Sequence, residues 1–157
     1  MTLEGTFTFN GPRQTVWTLL QDPAVLARAL PGTERLELVG PDQYRGVMKA
    51  SVGPVTAARF DVIVTLMDKT EPERFVMQLE GKGPLGHTRG TATIELAEAA
   101  PQQTTMRYNA NVLVGGTIAA VGQRMLDSVS RSMMTQALQS LDRELKARLD
   151  APERATE

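Results

Sequence analysis

The 157-residue sequence has no cysteine, which excludes disulfides, thiolate metal sites and cysteine nucleophiles together and fits a reducing compartment. It has a single histidine, His87, and one histidine does not make a metal site. Net charge is missing too: 17 lysines and arginines face 18 acids. With no strong field of one sign, the chain is not expected to bind nucleic acid. No apolar run approaches the roughly 18 residues of a membrane span. The opening MTLEGTFTFN lacks the basic flank and apolar stretch of a signal peptide, so a soluble, cytoplasmic protein is expected.

What is present is enough for one domain, because a chain of this length can bury roughly two-thirds of its unfolded surface. Residues 3–9 alternate Leu3, Gly5, Phe7 and Phe9 against Glu4, Thr6 and Thr8, the pattern of a half-buried strand. Pro12 and Pro23 suit first helical positions, with Gly11 and Asp22 before them as caps, and predict two short helices. From Glu34 to Val114 the chain reads as six strands divided by turn chemistry at 40–43, 52–55, 69–74, 81–90 and 98–103. No helical stretch separates any two of them, so hairpins must join them and the sheet is antiparallel. After Gly116 the apolar residues Ile118, Gly122, Met125, Val129, Met133, Ala137, Leu141 and Leu145 recur about every 3.9 residues, which predicts one long helix over 117–149. The expected organisation is a single domain at 1–149 and a disordered tail at 150–157.

One parity of each strand is almost wholly apolar and the other carries residues such as Arg45, Lys49, Asp61, Glu80 and Arg107, so one face meets the helix and one meets water. The apolar parity is rich in small residues: Gly46, Ala50, Ala58, Gly81, Ala92 and Ala110. Two packings are open. Either these residues leave a cavity beneath a helix that itself begins with small residues, or the sheet curves and the helix comes closest there. Seven methionines besides Met1 could line a pocket for an irregular apolar ligand, and methionine is equally ordinary core filling.

The glycine-rich stretch VGGTIAAVGQRML (114–126) matches neither of two phosphate motifs. It lacks the GK[ST] ending of a P-loop and the G-x-G-x-x-G of a dinucleotide site. Gly115 and Gly116 read instead as a strand-to-helix corner. Acid–base chemistry fares no better. The inward parity offers only Tyr44, Tyr108 and Thr104 as polar side chains, and none brings a carboxylate, histidine or lysine with it. His87 lies in a glycine-rich turn, and Arg59, Asp61, Glu71 and Glu73 fall on the outward parity or in turns.

Strand, two short helices, six antiparallel strands and a long C-terminal helix is an order that resembles the START/Bet v 1-like helix-grip superfamily. Within it, VWTLLQDPAVLARALPGTERLE (16–37), YRG (44–46), EGKGPLGHTRGTATIEL (80–96) and TTMRYNANVLVGGTIAAVGQRML (104–126) are similar to the CoxG family associated with carbon monoxide dehydrogenase. The resemblance implies an α+β helix-grip fold, a curved seven-stranded antiparallel sheet with two short helices and one long one, and a hydrophobic cavity between them. It also implies a non-catalytic accessory protein of molybdenum-containing dehydrogenases, associated with membrane recruitment or maturation. The expected partners are an apolar molecule, such as a lipid or isoprenoid quinone, and molybdenum hydroxylase subunits. Some members carry a long C-terminal extension, whereas about eight residues follow the helix here. Contact with the inner face of the membrane would then be peripheral, through the domain or a partner. The candidate ligand-lining residues are Tyr44, Met48, Ala50, Phe60, Val62, Met77, Leu79, Tyr108 and Ala110 on strands, with Ile118, Gly122, Met125 and Val129 on the helix. No catalytic residue, metal or cofactor is expected. The competing reading is a small cyclase or isomerase in which Tyr44 and Tyr108 donate to a substrate oxygen.

Overall fold

The computed structural model describes residues 1–150; the tail expected at 150–157 lies, past Asp150, outside them. Strand β1 (Thr2–Phe9) leads into α1 (Arg13–Leu20) and α2 (Pro23–Ala29). Six strands follow: β2 (Thr33–Gly40), β3 (Gln43–Val52), β4 (Val55–Thr70), β5 (Arg74–Gly83), β6 (Gly86–Ala100) and β7 (Gln103–Gly115). A short 3-10 turn (Thr117–Val121) precedes the long helix α3 (Gln123–Leu149). The sheet order is β1-β7-β6-β5-β4-β3-β2, antiparallel throughout, with β1 and β2 at its edges. The expected α+β helix-grip architecture is present.

Local chemistry starts the two short helices in different ways. Asp22 caps α2 as expected, accepting from the Ala24 N–H at 3.0 Å, and Pro23 occupies the first helical turn. α1 departs from expectation. Pro12 itself is the cap residue, extended at φ −64° and ψ 145°, and no side chain caps the helix. Gly11 serves close packing instead: its carbonyl accepts from the buried Thr104 hydroxyl at 2.8 Å, and a Cβ there would press within 3.2 Å of Leu145 and Leu149. The absence of a side chain at Gly11 thus lets the end of α3 close onto β1.

That closure defines a densely packed end of the molecule. Trp17 meets Phe75 edge to face with ring centroids 5.4 Å apart, and Phe9, Val16, Leu19, Val64, Leu66, Leu96, Met106 and Leu145 are buried around them. Full burial of each large apolar side chain contributes roughly 1.5–3 kcal/mol. The C-terminal half of α3 supplies Ala137, Leu138, Leu141 and Leu145 to this core. An ion pair between Arg148 and Asp22 at 3.2 Å ties the helix end to the α2 cap.

The other end of α3 corrects the sequence reading. The helix does not run unbroken from residue 117. Gly122 stands between the 3-10 turn and α3 at φ 97° and ψ 157°, a backbone conformation that side chains disfavour and no helix can contain. It is exposed and not on the sheet-facing stripe. The four-residue step from Ile118 to Gly122 imitates helical spacing without being helix. The buried stripe begins at Leu126.

Candidate functional site

The inner faces of β5, β6 and β7 should be buried, because these are interior strands roofed by a helix. They are only partly so. Phe75, Ile94, Leu96 and Met106 are buried at the packed end, whereas Met77 and Leu79 on β5, Ala92 on β6, and Tyr108, Val112 and Val114 on β7 are half-buried. The helix layer accounts for this. The principal backbone approaches of α3 are to α1, α2, β1, β3 and the 3-10 turn, so the helix is held at its ends and stands off the middle of the sheet. Apolar surface is left uncovered as a trough beneath it. On the other side of the helix, Ala50 joins Val129 and Met133 in a groove of about 280 Å³ that opens between β3, the Pro31–Gly32 loop and α3.

Turns close the far end of the trough. Ile118 is buried, its N–H donates to the Leu85 carbonyl at 2.7 Å, and its side chain lies where a Cβ on Gly86 would need to be. Met125 packs on the β3–β4 turn, where a Cβ on Gly53 would lie 3.2 Å from its terminal carbon. With Val52, Ala58, Phe60 and Leu126 also buried, this end is sealed by the 3-10 turn and two hairpin tips.

The chemistry of the trough is sparse. Among the described residues its inner face carries no acid, lysine, arginine or histidine. Thr88 directs its hydroxyl to the Leu113 carbonyl at 3.1 Å. The Tyr108 hydroxyl has no hydrogen-bond partner among the described residues, and its ring lies over Gly5 at the β1 rim. Tyr44 differs from it sharply. It is 3 % exposed, donates to the Gln21 carbonyl at 3.1 Å, and burial raises its pKa above the ordinary tyrosine value. At the groove's lip Lys49 pairs with Glu34 at 2.9 Å and holds that carboxyl below its usual range.

Of the sequence-derived candidates, Met48, Ala50, Met77, Leu79, Tyr108 and Val129 fall on the half-buried surface under and beside α3, with Ala110 buried next to them. Phe60 and Val62 belong to the packed core. Ile118 seals the closed end, Met125 sits at its rim 37 % exposed, Gly122 faces solvent, and Tyr44 is committed to Gln21. Ala92, Val112 and Met133 were missed as lining residues. Their sequence signal was inward parity or helical spacing, which marks a face but not the height of the helix above it. His87 lies on the outer face, its ring filling the space a Cβ on Gly115 would need, and Glu71 is an exposed turn residue that accepts from Gln14 at 2.9 Å. Among the described residues there is no cluster of metal-ligating side chains, and no helix is long and apolar enough to cross a membrane.

A curved sheet gripping one long helix over an apolar trough is the START-like fold. The chain is similar to a START superfamily protein from Mycobacterium smegmatis, with a TM-score of 0.71, 12% identity, and 93% of this chain and 97% of that one covered. It is also similar to the Zhui aromatase/cyclase from Streptomyces sp. R1128, with a TM-score of 0.70, 18% identity and 97% of each chain covered. A conserved protein from Geobacillus kaustophilus aligns with a TM-score of 0.88 and 26% identity over 94% of this chain and 96% of that one. Residues 5–146 match the family model for CoxG, a carbon monoxide dehydrogenase component, and the chain belongs to that family. No curated protein matches the chain.

Proposed function

We propose that this protein is a non-catalytic carrier that holds an elongated, largely apolar molecule, an isoprenoid quinone or another lipid, in the trough beneath α3. It works beside a molybdenum-containing enzyme of the carbon monoxide dehydrogenase type, in presentation of that molecule, membrane recruitment or maturation. The observation that carries the reading is apolar surface left half-buried on interior strands, where a filled core would have buried it. The one hydroxyl of the trough without a protein partner, on Tyr108, suits a ligand with a single carbonyl or hydroxyl at one end of a greasy body. The link to the dehydrogenase rests on the family. Membrane contact, in this reading, is peripheral and serves loading.

A cyclase or isomerase reading has the likeness to the aromatase/cyclase fold behind it, but fold alone does not fix chemistry. Tyr108 could donate to a substrate oxygen, yet general acid–base catalysis needs a base within reach of it, and the trough's described residues supply none.

Native mass spectrometry of freshly purified protein, followed by organic extraction, tests the carrier reading. The expected result is an adduct lost on denaturation and recovered in the organic phase as a long-chain apolar compound. Protein that carries no adduct and takes up no fluorescent apolar probe overturns it.

A further inference from the structure

The two edges of the sheet are finished differently. β2 carries Glu34, Arg35 and Glu37 and breaks register with β3 near both ends, between Thr33 and Arg35 and between Leu38 and Gly40. Charges and bulges of this kind keep an edge strand from pairing with another chain. β1 has little of either. Its register with β7 runs without a shift from Thr2↔Asn111 to Phe9↔Thr104, and Glu4 is its only charged side chain. Even that charge is drawn back over the sheet: Asn109 Nδ2 donates to Glu4 Oε2 at 3.1 Å, and the neighbouring Thr2 hydroxyl donates to Asn111 Oδ1 at 3.1 Å.

The ladder shows which backbone groups the edge presents. Met1 makes both its bonds to Val112, its ammonium donating to the Val112 carbonyl at 2.8 Å and its own carbonyl accepting from the Val112 N–H at 2.8 Å. Bonded and non-bonded pairs alternate along an antiparallel ladder, so Leu3, Gly5, Phe7 and Phe9 direct their backbone groups to β7. The N–H and C=O groups of Thr2, Glu4, Thr6 and Thr8 face away from it. All four residues are exposed, and among the described residues no strand lies on that side.

We infer that β1 pairs with β1 of a second copy of this chain, antiparallel about a two-fold axis, joining the two sheets into one. The strand is complementary to itself. Centred on Gly5, the pairing sets Glu4 opposite the partner's Thr6 and Thr2 opposite the partner's Thr8; centred on Thr6, it sets Glu4 opposite the partner's Thr8. Neither register brings two carboxylates together, and both align threonine-rich rows of the kind that stabilise cross-strand contacts. The inner rim agrees with this. Leu3 and Phe7 are half-buried there, and in the Gly5-centred register Leu3 meets the partner's Phe7, so the same step covers the apolar rim. An isologous contact of this form closes on itself and does not propagate into a fibre.

Analytical ultracentrifugation over a concentration series, with hydrogen exchange read at the β1 amides, tests the inference. The mass is expected to double at high micromolar concentration. The amides of Thr2, Glu4, Thr6 and Thr8 should slow with it, while those of Leu3, Gly5 and Phe7, already bonded to β7, should not change. Thr6→Glu places a carboxylate opposite either Glu4 or its own symmetry mate, and Thr6→Pro removes one outward N–H. Each should weaken association by about tenfold or more with circular dichroism unchanged. Glu37→Thr on the opposite edge should leave association as it is. Thr6→Glu exchanges one exposed residue for another and carries the test if the proline variant misfolds. A chain that stays monomeric at every concentration, or a dimer that Thr6→Glu leaves intact, overturns the inference.

Discussion

The phenol of Tyr108 on β7 lies across Gly5 on β1, so closely that a Cβ on Gly5 would sit 2.7 Å from the hydroxyl oxygen and 3.0 Å from Cζ. Gly5 keeps the ring down on the rim and the trough open above it. Gly5→Ala should push the ring up into the trough. Replacing glycine within a strand gains ~0.5–1 kcal/mol, which offsets the lost ring contact, so stability should change by less than about 1 kcal/mol while affinity for an apolar probe falls several-fold. Thermal unfolding and a fluorescence titration read the two effects separately. An unchanged affinity would place the ligand elsewhere.

Ala50 and Ala110 share the inward parity but not its surroundings. Ala50 is half-buried in the groove beside Val129 and Met133, whereas Ala110 is 6 % exposed. Overpacking a filled site costs ~1–3 kcal/mol, and growing into open space costs less. Ala50→Trp should therefore leave the unfolding midpoint in denaturant nearly unchanged and block probe uptake, while Ala110→Trp should lower the midpoint clearly. Equal losses would mean the groove is already filled.

The strands were legible because period-two alternation and turn residues are local signals, and each expected turn falls between two observed strands. Asp22 and Pro23 announced α2 for the same reason: the cap acts within its own turn. The errors arose where distant parts of the chain decide. Tyr44 and Tyr108 look alike in sequence, both inward on a strand, yet the C-terminal carbonyl of α1 lies on the hydroxyl of one and a bare glycine lies under the other. The parity of Met77, Leu79 and Ala92 said that they face inward. It could not say that α3 is held by α1, α2 and β1 and stands off them. Gly122 misled because a glycine at helical spacing reads the same whether it continues the helix or stops it.

Tyr44 gives a pH prediction with a definite sign. Burial raises its pKa in the folded protein, and the nearby Asp42 and Asp22 charges act in the same direction. The unfolded chain therefore loses this proton first, near pH 10. Folded protein then holds more protons than unfolded, so stability from this group is present below pH ~10 and is lost as pH rises beyond it. Tyr44→Phe should remove that alkaline contribution. It should also cost roughly 1–2 kcal/mol at neutral pH by leaving the Gln21 carbonyl without its donor. Urea unfolding at neutral and alkaline pH measures both, and the variant should take up apolar probe normally because this hydroxyl is committed to the backbone.

Gly122 separates conformational strain from steric fit. Nothing lies within 4 Å of a Cβ built on it, yet its φ of 97° is one that side chains rarely adopt. Gly122→Ala should therefore destabilise the protein by ~1–3 kcal/mol through backbone conformation alone. Gly116 adds a clash to the same strain: at φ 86° its Cβ would fall 2.6 Å from the Gly86 Cα. Gly116→Ala should cost more than Gly122→Ala. Gly90 on β6 is the control, since its Cβ would meet only ordinary contacts at 3.6 and 3.7 Å and its φ is not positive, so Gly90→Ala should be neutral or stabilising by ~0.5–1 kcal/mol. Chemical denaturation of the three variants should rank them Gly90, Gly122, Gly116 in increasing loss. A neutral or stabilised Gly122→Ala protein would mean that the 3-10 turn and α3 are one continuous helix in solution, and the seal that Ile118 makes over the end of the trough would have to be abandoned with it.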